Sequence, residues 1–196
     1  MPEKLLHIDT ETTGLYAPGA GLVQVAGIVE IDGEEVETFD LRCRPFPGDL
    51  LNKDALQIIG KTREELAALP DPADTFRELL DVLDRHVDRF DKADKFFMVA
   101  YNASFDNEHL RAWWKKCGGE YFGAYFWTPP LCVMTLAGIA LRPSRPDLPN
   151  FKLATVAQAM RITADGDPHD ALTDVRLSAG IWRRLLRAAE KKGILR

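Results

Sequence analysis

Residues 5–14 read LLHIDTETTG, and residues 22–42 read LVQVAGIVEIDGEEVETFDLR. The apolar stretch before Asp9 and the β-branched residues over 22–31 are typical of buried strands. Asp32 and Gly33 then predict a tight hairpin turn that leads into a third strand over 35–42. The chain is therefore expected to open with an antiparallel meander of three strands.

The hydrophobic pattern beyond this meander is mainly helical. Thr62 followed by Glu65 predicts a capping box at the start of a short helix. An apolar run over 96–101 predicts another buried strand, and the proline-rich residues 142–149 predict a surface loop. Further helices are predicted over 74–87, 104–116, 131–141, 153–160 and 170–192, the last ending at Gly193. Three strands followed by alternating helices and strands predict an α/β fold, a mixed sheet flanked by helices. The length predicts a single domain over 1–196.

Composition limits the classes of function. Of the 196 residues, 46% are apolar, which supplies material for a sizeable core. The formal net charge of −5, from 25 basic and 30 acidic residues, argues against tight, sequence-independent binding of nucleic acid through a basic surface. Bound cations can nevertheless supply positive charge at a phosphate, so a nucleic-acid enzyme stays compatible with this balance.

Targeting and redox signals are sparse in the sequence. No apolar stretch approaches the ~20 residues that a membrane span needs, and the first residues lack the pattern of a signal peptide. The three cysteines are scattered and form no CxxC pair, which predicts reduced thiols in or near the core. These features predict a cytoplasmic protein that does not enter a membrane.

The first motif that carries chemistry is Asp9-Thr10-Glu11. Asp9 and Glu11 are two residues apart at a strand end, so their side chains point to one face. Neighbouring carboxylates repel each other unless a cation lies between them, and hard oxygen ligands suit Mg²⁺ or Mn²⁺. Taken alone, the pattern is weak evidence for a metal site and more often marks a solvated junction between a strand and a glycine turn.

Two further motifs lie later in the chain, YNASFDN at 101–107 and HDALTD at 169–174. Asp106 would lie in the first turn of a helix, where helix capping is its ordinary role. Asp174 would lie within the last helix, and Asp170 could be the capping residue of that helix. A lone histidine such as His169 is usually a surface residue.

Together and in this order, DxE, NxxFD and HDAxxD resemble the motifs of the DnaQ-like exonuclease family, in its DEDDh subgroup. The resemblance extends from residue 5 to about residue 185, and all four acidic positions and the histidine match. Residues 55–62 (ALQIIGKT) stand where many members read AxxIHGIT, with Ile59 at the position of the family's histidine.

The resemblance implies a ribonuclease H-like fold, in which the meander is joined by parallel strands, and a phosphodiesterase with two metal ions. Two cations ~3.5–4 Å apart can stabilise both the attacking and the leaving oxygen. Asp9, Glu11, Asp106 and Asp174 would hold two Mg²⁺ or Mn²⁺ ions, with Asp9 bridging them. His169 would take a proton from the nucleophilic water, since an imidazole can exchange protons near neutral pH.

The resemblance also implies substrate contacts. Leu15, after the TxTG turn, would wedge beside the terminal base, and Phe105 would flank the same pocket, where an apolar face stacks on a base without reading its identity. Thr10 and Thr12 are further predicted substrate contacts. The predicted substrates are 3′ ends of DNA, single-stranded or frayed, and the products are nucleoside 5′-monophosphates.

Two alternatives remain open at this point: an exoribonuclease of the same family that acts on RNA, and a non-catalytic module that binds nucleic-acid ends or a partner protein. The sequence identifies no protein partner. A basic cluster on the last helix could follow a nucleic-acid backbone, but a solvated helix face is the favoured interpretation; it comprises Arg183, Arg184, Arg187, Lys191 and Lys192. Trp113, Trp114 and Trp182 are predicted to lie in the core, and Gly180 is predicted to mark close packing in mid-helix.

Overall fold

The computed structural model describes residues 2–167, 169–191 and 193. One mixed sheet is formed by strands β1 (Lys4–Thr12), β2 (Leu22–Ile31), β3 (Glu34–Arg42), β4 (Phe97–Ala100) and β5 (Leu131–Cys132). Their spatial order is β3-β2-β1-β4-β5. The first three strands pair antiparallel, whereas β4 pairs parallel with β1 and β5 pairs parallel with β4. The predicted α/β class and mixed sheet are confirmed.

The helices are α1 (Lys53–Ile58), α2 (Arg63–Ala67), α3 (Pro72–Asp84), α4 (Ala103–Lys116), α5 (Val133–Ala140), α6 (Leu153–Ala159) and α7 (Ala171–Lys191). The predicted capping box is confirmed, because Thr62 and Glu65 exchange hydrogen bonds at the start of α2. Asp71 caps α3 by accepting from the Ala73 N–H. Asp32 and Gly33 both have positive φ, 51° and 85°, which is the conformation that a tight hairpin turn of two residues requires.

Apolar side chains cover both faces of the sheet, because successive residues of a strand point to opposite sides. Leu6 and Ile8 of β1 belong to the core that α3 and α4 complete. Leu5 of the same strand belongs to a second core, completed by α5, α6 and α7. The sheet therefore lies between two layers of helices, and Asp9 and Glu11 lie in the last part of β1.

Several boundaries differ from the predictions. Residues 131–132 were expected in a helix, but they pair with Val99 and Ala100 and form β5; this pairing with a strand distant in sequence outweighs the local helical pattern. Helix α1 was not predicted, because it has no buried residue and hence no apolar periodicity. The predicted loop after Leu141 contains a short 3₁₀ helix, Arg142–Asp147. Lys192, the predicted last residue of the final helix, lies outside the described residues.

Predictions about packing are also confirmed. Trp113 and Trp114 are 2% exposed and Trp182 is 6% exposed. A Cβ atom on Gly180 would lie 2.6 Å from Cγ2 of Ile162, so only glycine permits this approach of α7. Among the described residues, no helix has the length and apolarity that crossing a membrane requires.

Candidate active site

The end of β1 brings Asp9 and Glu11 against the first turns of α7. Asp9 pairs with Ala26 of β2, and Ala26 packs with Ala171 and Val175 of α7. Because Asp174 lies between these two apolar residues in the chain, the same packing carries its carboxylate to the sheet. Ligand atoms of Glu11, Asp174 and His169 all lie within 4.8 Å of one another.

Asp106 reaches the same strand end from α4. Its Oδ1 atom accepts hydrogen bonds from the backbone N–H of Thr10, over 3.0 Å, and from the Thr10 hydroxyl, over 2.9 Å. Asp106 is only 3% exposed. Since Thr10 stands between Asp9 and Glu11, these bonds fix Asp106 beside both of them. Four carboxylates thus converge at this strand end: two from β1, one from α4 and one from α7.

Burial and mutual repulsion make these carboxylates hard to ionise together. Burial, with the charges of Asp106, Glu11 and Asp174 in addition, raises the pKa of Asp9 well above its ordinary value. Burial, followed by the charges of Asp174 and Asp106, raises the pKa of Glu11 to about 8. The pKa of Asp106 is raised to about 7 by burial, although the bonds from Thr10 oppose this rise. Burial also raises the pKa of Asp174.

This donor set fits hard divalent cations. All four carboxylates supply oxygen ligands, which Mg²⁺ and Mn²⁺ prefer. A cation among them would replace mutual repulsion by attraction and so favour the ionised forms. The chemistry of the donors therefore agrees with the predicted metal site.

His169 lies in the turn that precedes α7. Its side chain is exposed, and its φ of 62° places it in the left-handed region, which is uncommon for a residue other than glycine. One ring nitrogen lies within 4.8 Å of carboxylate oxygens of Glu11 and Asp174. The imidazole is thus accessible to solvent and also adjacent to the carboxylates, as removal of a proton from a water molecule requires.

Comparison with known proteins identifies the family. Residues 6–182 match the model of the RNase_T family, described as exonuclease. The chain belongs to this exonuclease family. The predicted resemblance to DnaQ-like exonucleases is thereby confirmed.

Relatives and solved structures agree with this membership. A PolC-type DNA polymerase III from Bacillus cereus is 24% identical over 97% of the chain, which spans only 12% of that polymerase. The zinc-bound E. coli exonuclease I complex with single-stranded DNA has a TM-score of 0.74 at 22% identity, and the match covers 99% of this chain and 42% of that one. A 3′-exonuclease described as recognising a histone mRNA stem-loop has a TM-score of 0.72 at 15% identity, covering 95% of this chain and 83% of that one. These similarities confirm the ribonuclease H-like fold of the exonuclease domain.

The residues predicted to contact substrate divide into two pairs. Thr10 and Thr12 are buried, and their hydroxyls donate to Asp106 and to the Gly14 carbonyl. Each hydroxyl thus uses its one proton within the protein, and a substrate could contact it only as a hydrogen-bond donor; the contact of Thr10 and Thr12 with substrate stays a prediction. Leu15 is 88% exposed and Phe105 is half-buried, so both can meet a substrate.

Sequence reasoning missed two apolar neighbours of Leu15. Tyr16 and Leu50 are 69% and 64% exposed and, with Leu15, line a cleft of about 460 Å³. The position of Tyr16, directly after Leu15, could have indicated that it lines the same cleft. Leu50 comes from a loop distant in sequence, and no local pattern marks it.

His109 of α4 is a further residue that the sequence did not indicate. It is 3% exposed, and its two ring nitrogens lie 2.9 Å from the Phe105 carbonyl oxygen and 3.1 Å from that of Gly14. Its ring also packs on the Phe105 ring, with centroids 4.0 Å apart. His109 therefore connects the turn that carries Leu15 to the helix that carries Phe105.

Proposed function

We propose that the chain is a 3′→5′ exonuclease that hydrolyses phosphodiester bonds at the 3′ ends of DNA and releases nucleoside 5′-monophosphates. The observation that carries this proposal is the convergence of an exposed imidazole with carboxylates from β1 and α7, all within 4.8 Å of one another. Membership of the exonuclease family supports it.

The carboxylates are the proposed holders of two Mg²⁺ or Mn²⁺ ions. Asp9, Glu11, Asp106 and Asp174 would together hold both ions. Cations in such a site stabilise the charge that develops on the attacking and leaving oxygens of a phosphodiester. The raised pKa values of Asp9 and Glu11 support the assignment, because they mark a centre that gains from added positive charge.

His169 is the proposed general base. Its ring would accept a proton from the water that attacks the phosphorus atom, and its exposure allows the proton to pass to solvent. Leu15 and Phe105 would hold the terminal base, which stacks on apolar faces only after it has left its own duplex stack. This supports a single-stranded or frayed 3′ end as the substrate.

Two similarities favour DNA over RNA as the substrate: that to PolC-type DNA polymerase III, and that to exonuclease I in complex with single-stranded DNA. The neighbour described as a 3′-exonuclease of histone mRNA keeps RNA as the alternative substrate. The non-catalytic alternative predicts binding of nucleic-acid ends without turnover.

The deciding experiment follows oligonucleotides over time. DNA and RNA of equal sequence, labelled at either the 5′ or the 3′ end and offered as single strands or duplexes, are incubated with Mg²⁺, with EDTA, or with EDTA followed by excess Mg²⁺. Circular single-stranded DNA tests the need for an end. The matched control is His169→Ala, which keeps all four carboxylates.

We expect 5′-labelled DNA to shorten in single-nucleotide steps, EDTA to abolish cleavage and Mg²⁺ to restore it. His169→Ala should lower the single-turnover rate by ~10²–10⁴-fold, the usual cost of removing a general base. Cleavage of the circle, or undiminished cleavage in EDTA, would contradict the proposal. A faster reaction on RNA would replace DNA by RNA as the substrate.

A further inference from the structure

We infer that Arg42 and Gln24 are positioning residues for His169, and that they act on it through Asp170. This inference rests on the proposed function, in which His169 is the general base. Neither residue belongs to the three motifs, and both lie on strands that carry none of the proposed metal ligands.

The register of the sheet places these residues in a row that starts at a proposed ligand. Glu11 of β1 pairs with Gln24 of β2, and Gln24 pairs with Arg42 of β3. Residues paired across neighbouring strands point to the same face of a sheet. The side chains of Glu11, Gln24 and Arg42 are therefore neighbours, and all three line, with His169, one cleft of about 290 Å³.

Asp170 is held by the second and third members of this row, Gln24 and Arg42. Its Oδ1 atom accepts from Nη2 of Arg42 over 2.8 Å and from Nε2 of Gln24 over 3.1 Å. Both donors also bind Asp40, at 3.1 and 2.7 Å, which fixes their own orientation. The other oxygen of Asp170 faces the backbone N–H of Thr173 in the first turn of α7, at 3.4 Å. One carboxylate thus joins the sheet to the start of α7.

His169 needs such an anchor because of its backbone. A positive φ in a residue other than glycine costs ~1–3 kcal/mol and persists only where the surroundings enforce it. Asp170 is the next residue, so the hydrogen bonds from Arg42 and Gln24 fix the end of the turn that contains His169. On its other side, Gly166 is pressed against α7, since a Cβ atom there would lie 2.1 Å from the Thr173 hydroxyl.

The exposure of the ion pair between Arg42 and Asp170 argues against a purely structural role. The side chains of Arg42 and Asp170 are 40% and 30% exposed, and ion pairs at such positions add at most ~1 kcal/mol to stability. Misplacing a catalytic group by ~1 Å can cost ~10²-fold in rate. The pair should therefore affect the rate much more than the stability.

The chain offers a matched control. Arg44 forms an ion pair with Asp71, and the two side chains are 42% and 40% exposed. Like Asp170, Asp71 precedes a helix and accepts from a backbone N–H in its first turn, that of Ala73. The Arg44 pair lies outside the site described above. Arg44→Met therefore removes an equivalent interaction without touching the turn of His169.

The experiment is a double-mutant cycle under single-turnover conditions with saturating Mg²⁺. It compares wild type, Arg42→Met, Arg44→Met and Asp170→Asn, each also combined with His169→Ala, and melting curves check that every variant is folded. We expect Arg42→Met and Asp170→Asn to lower the rate by ~10–100-fold. The same changes should have no further effect in the His169→Ala background. Arg42→Lys should recover part of the rate, and Arg44→Met should leave it unchanged.

The outcomes separate this inference from the proposed function. A wild-type rate in Arg42→Met, with His169→Ala strongly impaired, overturns the inference and leaves the general base in place. An equal loss with and without His169 overturns it as well, because Arg42 would then act on something else. A wild-type rate in His169→Ala overturns the general base itself, and the inference with it.

Discussion

Thr10 donates both its backbone N–H and its hydroxyl to one carboxylate oxygen of Asp106, over 3.0 and 2.9 Å. The two residues are separated by 96 positions in the chain. Thr10 lies between Asp9 and Glu11, so this pair of bonds joins the strand that carries two proposed ligands to the helix that carries a third. The geometry of the proposed metal site therefore depends on a side chain outside the proposed ligand set.

Replacing Thr10 by valine tests this dependence. Thr10→Val keeps the shape and the backbone bond but removes the hydroxyl, so the pKa of Asp106 should rise further above about 7. A hydrogen bond to a charged group contributes ~1.5–3 kcal/mol. We therefore expect the Mg²⁺ concentration for half-maximal rate to rise by ~10-fold or more, measured by Mg²⁺ titration. Thr10→Ser keeps a hydroxyl and should stay near wild type, and coincident titration curves for all three proteins would contradict this role.

The crowded carboxylates predict an unusual dependence of stability on pH. In the metal-free protein, Glu11 and Asp106 have pKa values of about 8 and about 7, and that of Asp9 is also raised. Between the ordinary carboxyl pKa of ~4 and these raised values, the folded state holds more protons than the unfolded state. The free energy of unfolding must then fall as pH rises through this window. In EDTA, melting should occur at a lower temperature at pH 8.5 than at pH 5.5.

Two controls belong to this measurement. Saturating Mg²⁺ should restore the melting temperature at pH 8.5, because ligand bound only to the folded state stabilises it. Glu11→Gln should flatten the dependence on pH in EDTA. A melting temperature that is constant or rises over this range would show that these carboxylates are not crowded.

Asp174→Asn separates function from stability at the same centre. The change keeps the shape but removes one ligand charge, so we expect the turnover rate at low Mg²⁺ to fall by at least ~100-fold. The charge of Asp174 raises the pKa values of Asp9 and Glu11, so its removal should leave the metal-free protein at least as stable as wild type. Asp165→Asn, at an exposed position near α7, is the control for a general charge effect. Wild-type turnover in Asp174→Asn would remove this residue from the ligand set.

Leu15→Ala tests the proposed contact with the terminal base. Burying an apolar side chain of the size of leucine contributes ~1.5–3 kcal/mol, so kcat/KM on single-stranded DNA should fall by ~10–100-fold. Because Leu15 is 88% exposed, the melting temperature and the Mg²⁺ titration should not change. Phe90→Ala removes a side chain that is 84% exposed on a loop outside the site, and it should leave the rate unchanged. Equal rates for both variants and wild type would exclude Leu15 as a substrate contact.

Arg183 of α7 forms ion pairs with Glu30 and Glu35 of the sheet. Its guanidinium donates twice to Glu30, over 2.8 and 2.6 Å, and once to Glu35, over 2.6 Å. The His7 ring, whose Nε2 lies 3.4 Å from a Glu30 carboxylate oxygen, and the bonds from Arg183 lower the pKa of Glu30 to about 2. The prediction of a solvated face was therefore wrong for this member of the basic cluster.

We expect Arg183→Met to lower the free energy of unfolding at pH 7 by about 1–3 kcal/mol, since Glu30 would lose a partner while Arg183 is itself partly exposed. A lowered carboxyl pKa stabilises the fold above the ordinary pKa of ~4. This stabilisation is lost as pH falls towards 2. The difference between variant and wild type should therefore shrink below pH 4 in denaturant titrations. Arg184→Met, at an exposed position, should change stability by less than ~0.5 kcal/mol. Equal losses for the two variants would contradict the specific pairing.

The sequence by itself determined the elements whose signals are local. Asp32-Gly33 sets the hairpin because both residues accept positive φ, and Thr62 with Glu65 sets the start of α2 through bonds that span three residues. The five proposed site residues were also found from sequence, but through the resemblance of DxE, NxxFD and HDAxxD, in this order, to the motifs of DnaQ-like exonucleases; each motif alone was ambiguous.

Tertiary structure decided the roles that depend on partners from distant elements. Arg42 and Asp170 are separated by 128 positions and Arg183 and Glu30 by 153, and nothing in the local sequence of any of these residues marks the pairing. Strand β5 exists because β4 offers its free edge to Leu131 and Cys132. The physical reason is common to all three cases: a charged side chain or a short apolar run has several acceptable environments, and only the packing of the whole chain selects the one that is occupied.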